Sequence, residues 1–288
     1  MKRSTELRRL MAENAPVVAP GAYDGMSARL VEMAGFPAVY ATGGGIARST
    51  GIPDMGLMSL SDIVVRLQSM VDALAVPLIG DADTGHGNAL NAEQTVKAFV
   101  RAGVAGAHIE DQSFPKRCGH YEDKSLAPTS EMVQKIRAMK NASTDPDFVL
   151  IARTDALAVE GYDSAIERMN RYMEAGADVA FVEAPTSIEQ IEQIAKDLPY
   201  PKLINMFHGG KTPLVGTERL GELGYDIVII PNDTQRAAIH AMQQTLSAIR
   251  DDGHSGKLQD QMASFQDREA IIGTQAYMDR DKEYSAAS

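Results

Sequence analysis

The chain has 288 residues, a formal net charge of −11 and one cysteine. This length suits one large α/β domain, the negative charge disfavours nucleic-acid binding, and a lone cysteine cannot form an internal disulfide bond. Residues 1–16 lack the apolar stretch of a secretory signal and no apolar run approaches the roughly 20 residues of a membrane span, so we expect a soluble cytoplasmic protein.

Short apolar segments alternate with amphipathic ones along the chain. This alternation predicts a parallel sheet that is buried on both faces. In chain order the predicted strands are Pro16–Pro20, Ala38–Ala41, Pro77–Asp81, Gly106–Glu110, Val149–Arg153, Val179–Glu183, Lys202–Asn205 and Asp226–Ile230. The predicted helices between them include Asn91–Ala102, Ser164–Ala175 and Ile188–Asp197.

A glycine follows four of the predicted helices, a few residues before the next strand. These glycines are Gly35, Gly103, Gly176 and Gly224. Glycine readily adopts the left-handed conformation in which many helices end. The repeat and the eight strands predict a (β/α)8 TIM-type barrel of the α/β class, rather than an open sheet. We predict a single domain over residues 1–288, with a polar helical extension over residues 255–288.

Acidic side chains gather where the third and fourth predicted strands end. Asp81 and Asp83 are two residues apart, so on a strand both would face the same way, and Glu110 ends the following strand. The ends of barrel strands form active sites, and three carboxylates there would repel one another without a cation. Carboxylate oxygens suit Mg²⁺ or Mn²⁺. The alternative, in which Asp81 and Asp83 only cap the next helix, does not account for Glu110.

Basic and amide side chains follow other predicted strands. Arg153, Asn205 and Arg236 could bind substrate carboxylates, the arginines through two hydrogen bonds each. Glu183 is an obvious ion-pair partner for Arg153, which could bridge Glu183 and the substrate. Two histidines in predicted loops, His86 and His208, are interpreted as solvated or supporting residues.

The single cysteine, Cys118, is flanked by Lys116-Arg117 and by Gly119-His120. Neighbouring cations favour the thiolate form, which is the reactive one. The alternative is a solvated basic turn with an inert thiol. The carboxylates and arginines at the strand ends favour catalysis over that alternative.

Five motifs occur in the order that is found in the isocitrate lyase/phosphoenolpyruvate mutase superfamily. The chain resembles the short lyase branch of this superfamily over nearly its whole length. The resemblance implies an α/β barrel that binds Mg²⁺ and a 2-oxo or 2-hydroxy acid, often as a homotetramer that exchanges its last barrel helix between subunits. The motifs are Gly51-Ile52-Pro53-Asp54, Asp81-Ala82-Asp83-Thr84-Gly85, His108-Ile109-Glu110-Asp111-Gln112, Lys116-Arg117-Cys118-Gly119-His120 and Ile151-Ala152-Arg153-Thr154-Asp155.

The resemblance also implies a role for each matching residue. Asp81 and Asp83 would hold the metal, with Asp54 and Glu110 in its hydration shell, and Cys118 would lie on a gating loop. The implied substrate-binding residues are Thr42, Gly43, Gly44, Gly119, His120, Arg153, Glu183, Asn205 and Arg236.

The implied reaction is a retro-aldol cleavage of a 2-hydroxy dicarboxylate. Mg²⁺ would acidify the hydroxyl group, and Tyr40 or a metal-bound water would remove its proton. Arg153 would stabilise the charge that develops, and Cys118 would protonate the resulting carbanion. Phe207 and His208 replace a hydroxyl and an acid of 2-methylisocitrate lyases, which favours a smaller or more apolar substituted malate as the substrate.

Two alternatives use the same residues. A carboxyphosphonoenolpyruvate mutase-like phosphonate enzyme, or a hydrolase or decarboxylase acting on oxaloacetate, would employ the same metal site. A non-enzymatic metal-binding barrel would process no 2-hydroxy acid, and no feature of the sequence favours it.

Overall fold

The computed structural model describes residues 1–13, 15–117 and 124–286. The chain divides into two compact units, Met1–Thr234 and Gln235–Ser288. In the first unit, eight parallel strands pair in chain order and the eighth pairs with the first, which closes a barrel. The predicted (β/α)8 barrel is therefore confirmed. The strands are β1 (Val17–Ala22), β2 (Val39–Ala41), β3 (Leu78–Asp81), β4 (Gly106–Glu110), β5 (Val149–Thr154), β6 (Val179–Val182), β7 (Lys202–Asn205) and β8 (Ile227–Ile230).

Helices precede and connect the strands, as the alternating sequence pattern predicts. They are α1 (Arg3–Met11), α2 (Gly25–Met33), α3 (Gly43–Ser49), α4 (Leu60–Ala73), α5 (Ala89–Arg101), α6 (Thr129–Ala142), α7 (Ala156–Val159), α8 (Tyr162–Glu174), α9 (Ile188–Asp197), α10 (Thr217–Glu222) and α11 (Asp233–Asp252).

The predicted strand bounds are close to those observed. The fourth and seventh strands match at both ends, whereas β1 begins one residue later than predicted and ends two residues later. The four glycines predicted to end helices all have positive φ, between +78° and +111°. These positions need glycine, because a side chain there would be strained.

The interior of the barrel is packed with side chains from inward-facing strand positions. Val149, Ile151 and Phe181 belong to this interior cluster and are at most 1% exposed. Leu7 from α1 belongs to the same cluster and is fully buried. Arg8 donates hydrogen bonds to the carbonyls of Asp147 and Phe148, just before β5. Helix α1 therefore closes the end of the barrel at which the strands begin.

The second unit is helical. After α11 it contains a 3₁₀-helix (Gly256–Gln261), α12 (Phe265–Ile272) and α13 (Thr274–Ala286). Apolar side chains are exposed on it, including Leu246 at 65% and Phe265 at 70%. Within the described ranges, no helix of either unit has both the length and the apolar character needed to cross a bilayer.

Candidate active site

A polar pocket lies at the carboxyl ends of the strands, the end of a TIM barrel that carries active sites. Its lining residues lie on or after β2, β3, β5, β6, β7 and β8, with Lys116 after β4, so the closure of the barrel brings together residues that are far apart in sequence. The lining residues are Tyr40, Thr42, Gly44, Arg48, Asp54, Asp81, Lys116, Arg153, Phe181, Glu183, Asn205, Ile229, Pro231 and Asn232.

Three buried polar side chains meet at the floor of the pocket. A hydrogen bond of 2.7 Å joins Tyr40 Oη and His108 Nε2, and the same nitrogen lies 3.2 Å from Asp81 Oδ1. Burial raises the pKa of Asp81, but His108 and Lys116 outweigh this effect and hold that pKa well below its usual range. Burial and the nearby Asp81 raise the pKa of Tyr40. At neutral pH this corner therefore holds an ionised Asp81 and a protonated Tyr40.

The backbone conformation of Asp83 differs from the one predicted from the sequence. Strand β3 ends at Asp81, and Asp83 lies in the following turn with φ of +48°. A left-handed backbone is strained for a residue other than glycine. Asp83 N–H donates to Asp81 Oδ1 at 3.0 Å, so the two residues are in contact, but alternation along a strand is not what brings Asp83 there.

Lys116 connects two of the predicted metal ligands. Its Nζ lies 2.6 Å from Asp54 Oδ1 and 2.7 Å from Asp83 Oδ1, and its side chain is 5% exposed. Sequence analysis treated Lys116 only as a neighbour of the cysteine. The pairing with Asp54 spans 62 positions, so only the tertiary fold reveals it.

Arg153 also lines the pocket and lies among three carboxylates. Its strongest partner is Asp155, which accepts hydrogen bonds of 3.0 Å from Nε and 3.1 Å from Nη2. Nη1 lies 3.2 Å from Glu110 Oε2, whereas Glu183 Oε2 is 3.8 Å from Nε. The guanidinium also lies over the ring of Phe181, 5.5 Å from its centre. The predicted partner Glu183 is therefore present but is not the closest one.

Asp155 is fixed by a second layer of contacts. Lys124 Nζ donates to its Oδ1 at 2.6 Å, and its backbone N–H donates to Asp111 Oδ1 at 3.0 Å. Asp111 also accepts hydrogen bonds from Thr154 Oγ1 at 2.7 Å and Tyr172 Oη at 2.8 Å. The end of β5 is thereby held rigidly. Sequence reasoning gave Asp155 and Lys124 no role, and a buried acid two residues after Arg153 was the available signal.

Glu110 and Asn205 each carry a buried oxygen that has no hydrogen-bond partner within the described ranges. These atoms are Glu110 Oε1 and Asn205 Oδ1. Burial raises the pKa of Glu110 well above its ordinary value. Asn205 uses its amide nitrogen to donate to Glu183 Oε1 at 3.3 Å. Unsatisfied buried acceptors favour a donor or a cation at these positions.

The predicted substrate loop forms the start of α3. Thr42 caps this helix by accepting a hydrogen bond of 3.2 Å from Gly45 N–H. Gly43 N–H donates to Asp81 Oδ2 at 3.2 Å. A Cβ on Gly43 would lie 2.5 Å from that oxygen, and one on Gly44 would lie 2.8 Å from Asp54 Oδ2. Glycine is needed at both positions because the chain passes directly against the carboxylates.

Four of the predicted site residues lie outside the described part of the first unit. Cys118, Gly119 and His120 lie outside the described residues. Arg236 is on α11 and belongs to the second unit.

Three loop residues that the sequence analysis discussed, His86, Phe207 and His208, are not among the residues that line the pocket. Phe207 is half-buried and His208 is exposed. His86 is largely buried near Asp83 and Asp81, and burial lowers its pKa.

The charges around the pocket are unbalanced. In the described part of the chain, no group of three or more His, Cys, Asp or Glu side chains stands ready to hold a metal ion. Carboxyl groups nevertheless outnumber cationic side chains there by six to four, and a divalent cation would favour the ionised form of those whose pKa burial raises, such as Glu110. The donor set consists of carboxylate oxygens, and among the described residues neither Glu110 Oε1 nor Asp83 Oδ1 accepts a hydrogen bond, so the set fits Mg²⁺. The carboxylates are Asp54, Asp81, Asp83, Glu110, Asp155 and Glu183, and the cations are Arg48, Lys116, Lys124 and Arg153.

Comparison with known proteins adds independent information. A family model described as phosphoenolpyruvate phosphomutase matches residues 7–250. The chain is 39% identical over 286 residues to 2,3-dimethylmalate lyase of Eubacterium barkeri, covering 99% of both chains. It is also 39% identical over 274 residues to 2-methylisocitrate lyase of Shewanella oneidensis, covering 95% of this chain and 94% of the relative.

A solved structure gives a similar result. Oxaloacetate acetylhydrolase in complex with the inhibitor 3,3-difluorooxalacetate superimposes with a TM-score of 0.93 at 36% identity, covering 99% of this chain and 97% of that one.

Proposed function

This chain belongs to the phosphoenolpyruvate phosphomutase family, and we propose that it is a Mg²⁺-dependent enzyme that cleaves a substituted malate. It is a carbon–carbon lyase, as its relatives named 2,3-dimethylmalate lyase and 2-methylisocitrate lyase support. One observation carries the finer proposal. Asp54 and Asp81 line the same pocket as Arg153, and Asp83 contacts Lys116 of that lining, so carboxylates that could bind a metal and a guanidinium that could bind a substrate carboxylate share one site.

The carboxylates of Asp81 and Asp83, with Asp54 and Glu110 beside them, would hold the Mg²⁺. The bound ion supplies Lewis-acid chemistry, lowering the pKa of the hydroxyl group of a 2-hydroxy acid. Gly43 keeps Asp81 in place through its N–H, and Thr42 fixes the loop that carries Gly43 and Gly44. These contacts pre-organise the donor atoms before a ligand arrives, which reduces the cost of binding.

Tyr40 is proposed to receive the proton of the substrate hydroxyl group. Because burial raises the pKa of Tyr40, the phenol keeps its own proton at neutral pH. It can therefore act as a base only if it passes that proton onward, and His108 Nε2 lies 2.7 Å from its oxygen. This route is a proton transfer along one hydrogen bond, from Tyr40 to the Nε2 lone pair of His108, so it operates in the neutral form of His108 and not in the imidazolium form that lowers the pKa of Asp81.

Arg153 is proposed to stabilise the carboxylate-like charge that develops as the carbon–carbon bond breaks. Asp155 orients the guanidinium, and Phe181 packs against its face. A pre-oriented cation in a site shielded from water stabilises developing charge without reorganisation at the moment of reaction. We propose, from the sequence, that Cys118 then protonates the carbon that carried the broken bond.

The lining of the pocket supports a small substrate with apolar substituents. Phe181, Ile229 and Pro231 provide an apolar wall beside the polar groups. An apolar wall accommodates methyl groups at low cost, whereas burying a further carboxylate against it would be unfavourable. A dialkylmalate therefore fits this pocket better than a tricarboxylic acid.

The second unit supports the proposed homotetramer. Its exposed apolar side chains, among them Leu246 and Phe265, are of the kind that protein interfaces cover. Sedimentation equilibrium at micromolar concentration should give four times the mass of the chain, and a monomer would contradict this proposal.

The function is tested with a panel of substrates. Substrate loss and product identity are measured by chromatography and mass spectrometry for 2,3-dimethylmalate, 2-methylisocitrate, isocitrate, oxaloacetate and phosphonopyruvate, each with Mg²⁺ and with a chelator. The proposal predicts the highest kcat/KM with a dialkylmalate, and no turnover in the chelator.

Three other results are informative. Faster turnover of oxaloacetate would favour hydrolase chemistry, in line with the structural similarity to oxaloacetate acetylhydrolase. Faster turnover of phosphonopyruvate would favour a phosphonate enzyme. Turnover that persists in the chelator would contradict the metal dependence.

A further inference from the structure

The ammonium group of Lys116 lies between two of the proposed metal ligands. Its Nζ is within 2.7 Å of both Asp54 Oδ1 and Asp83 Oδ1. These are short, charge-assisted contacts, and they are made by a side chain that is 5% exposed. Lys116 thus binds one carboxylate that would hold the divalent cation, Asp83, and one that would lie in its hydration shell, Asp54.

The whole acidic cluster acts on this one cation. Besides Asp54 and Asp83, the carboxylates of Asp81 and Glu110 attract Lys116 through space. All four proposed metal-site residues therefore stabilise a buried ammonium group, which would otherwise be costly to remove from water. In the absence of a metal ion, Lys116 supplies the positive charge that the cluster requires.

We propose that Lys116 is an internal competitor for the metal site, so that its ammonium group and the divalent cation occupy Asp54 and Asp83 alternately. This inference rests on the proposed metal-dependent function. A doubly charged ion and an ammonium group sharing one pair of carboxylates would repel each other strongly in a buried site. Lys116 therefore leaves the carboxylates when the metal binds.

Competition of this kind has a quantitative consequence. The apparent dissociation constant of the metal rises by the reciprocal of the fraction of molecules in which Lys116 is undocked. By reciprocity, the metal weakens the docking of Lys116 by the same factor.

The first test measures Mn²⁺ binding by titration calorimetry in the full-length wild type, K116M and K124M. Methionine replaces the aliphatic part of the lysine side chain, is one atom shorter and removes the charge. Lys124 is the matched control, because its side chain is 2% exposed and pairs with Asp155 rather than with a proposed ligand. We expect K116M to bind Mn²⁺ at least about tenfold more tightly than the wild type, and K124M to change the affinity much less.

An equal gain of affinity in both variants would overturn the inference, because a general change of charge would then explain it. An unchanged or weaker affinity in K116M alone would overturn it as well.

The second test uses the wild-type protein and does not depend on a folded variant. Acetylation of individual lysines is followed by mass spectrometry with and without saturating Mg²⁺. Lys135 is the internal control, since it is equally buried, at 5% exposed, and pairs with Glu131 away from the site. We expect Mg²⁺ to raise the acetylation rate of Lys116 about tenfold or more and to leave that of Lys135 unchanged. An unchanged rate at Lys116 would overturn the inference.

These tests separate the inference from the function on which it rests. Metal-dependent turnover together with an unreleased Lys116 rejects the competition alone. Failure of both the wild type and K116M to bind Mn²⁺, with turnover that is insensitive to chelator, rejects the metal-dependent function and the competition together.

Discussion

The carboxylate of Asp155 accepts two hydrogen bonds from the guanidinium of Arg153, at 3.0 and 3.1 Å, and so fixes both its position and its plane. Asp155 is fully buried, and it also accepts from Lys124. Removing its charge leaves two cations in the interior without their main counter-ion.

We expect Asp155→Asn to lower kcat by at least about tenfold, because Arg153 loses the charged hydrogen-bond partner that orients its guanidinium group. Asp155→Ala should also lower the free energy of unfolding by about 3–5 kcal/mol. Steady-state kinetics and urea denaturation measure the two effects. Asp163→Asn, at an exposed position on α8, is the control and should change stability by less than about 0.5 kcal/mol. Wild-type kcat in Asp155→Asn would contradict the role given to Arg153.

The proposed proton donor is tested by Cys118→Ser. Serine keeps the shape of the side chain but its hydroxyl group is a much weaker acid than a thiol, so cleavage should be abolished. Binding of Mn²⁺ and of the 2-oxo acid product, measured by calorimetry, should remain intact. Turnover close to that of the wild type would remove Cys118 from the mechanism.

Because Gly43 lies close to Asp81, we expect the single methyl group that alanine would add at residue 43 to have a large effect on activity. A Cβ at residue 43 would lie 2.5 Å from Asp81 Oδ2, so Gly43→Ala must displace a proposed metal ligand. We expect activity to fall about a hundredfold or more. Gly216→Ala is the matched control, because a Cβ there has no neighbour within 4 Å in the described structure. Equal kinetics in the two variants would show that the position of Asp81 is unimportant.

Because the backbone of Asp83 is strained, we expect two substitutions at this residue to have the same effect on activity but different effects on stability. Asp83→Ala and Asp83→Gly both remove the carboxylate, so both should lose Mn²⁺ binding and turnover. Because φ is +48°, the glycine variant should be about 1 kcal/mol more stable than the alanine variant. Thermal unfolding measures the difference. Full activity in either variant would disprove the metal assignment.

The contacts of Asp145, at the closed end of the barrel, predict that the stability of the fold decreases in acid. Burial raises the pKa of Asp145, but hydrogen bonds from Ser4, from Asp147 N–H and from Lys2 outweigh burial and lower that pKa below its ordinary value. The ionised form is thus favoured in the folded state, and the resulting stability is present at neutral pH. It is lost as the pH falls from about 4 through the lowered pKa.

We therefore expect Asp145→Asn to lower the Tm at pH 7 and to have little effect near pH 2. Calorimetric scans across this range provide the test. A Tm difference that stays constant with pH would contradict it.

The barrel could be predicted from sequence because its signals are local. Each strand is a short apolar run, and Gly35, Gly103, Gly176 and Gly224 each mark the end of a helix within a few residues of the next strand. Such patterns depend on backbone conformation and on burial, which neighbouring residues largely determine. Because the carboxyl ends of all the barrel strands lie at one end of the barrel, the polar residues at these strand ends could also be predicted to lie near one another.

The pairings within the site could not be predicted in this way. The hydrogen bond between Tyr40 and His108 crosses 68 positions, and the contact between Lys116 and Asp54 crosses 62. They depend on how far each strand extends past its neighbour and on which rotamers the packed interior allows. The position of Asp83 depends on an unusual backbone angle, which the residue type alone does not predict.

The packing of Leu7 beneath the barrel has a consequence for the order of events in turnover. Helix α1 blocks one end, and the interior between the strands is filled with side chains. Substrate must then arrive, and both fragments of the cleaved molecule must depart, through the same mouth. The fragment that lies nearer the mouth leaves first, and the one held deeper remains as the last occupant. That deeper fragment should be a competitive inhibitor against the substrate, whereas the first to leave should not.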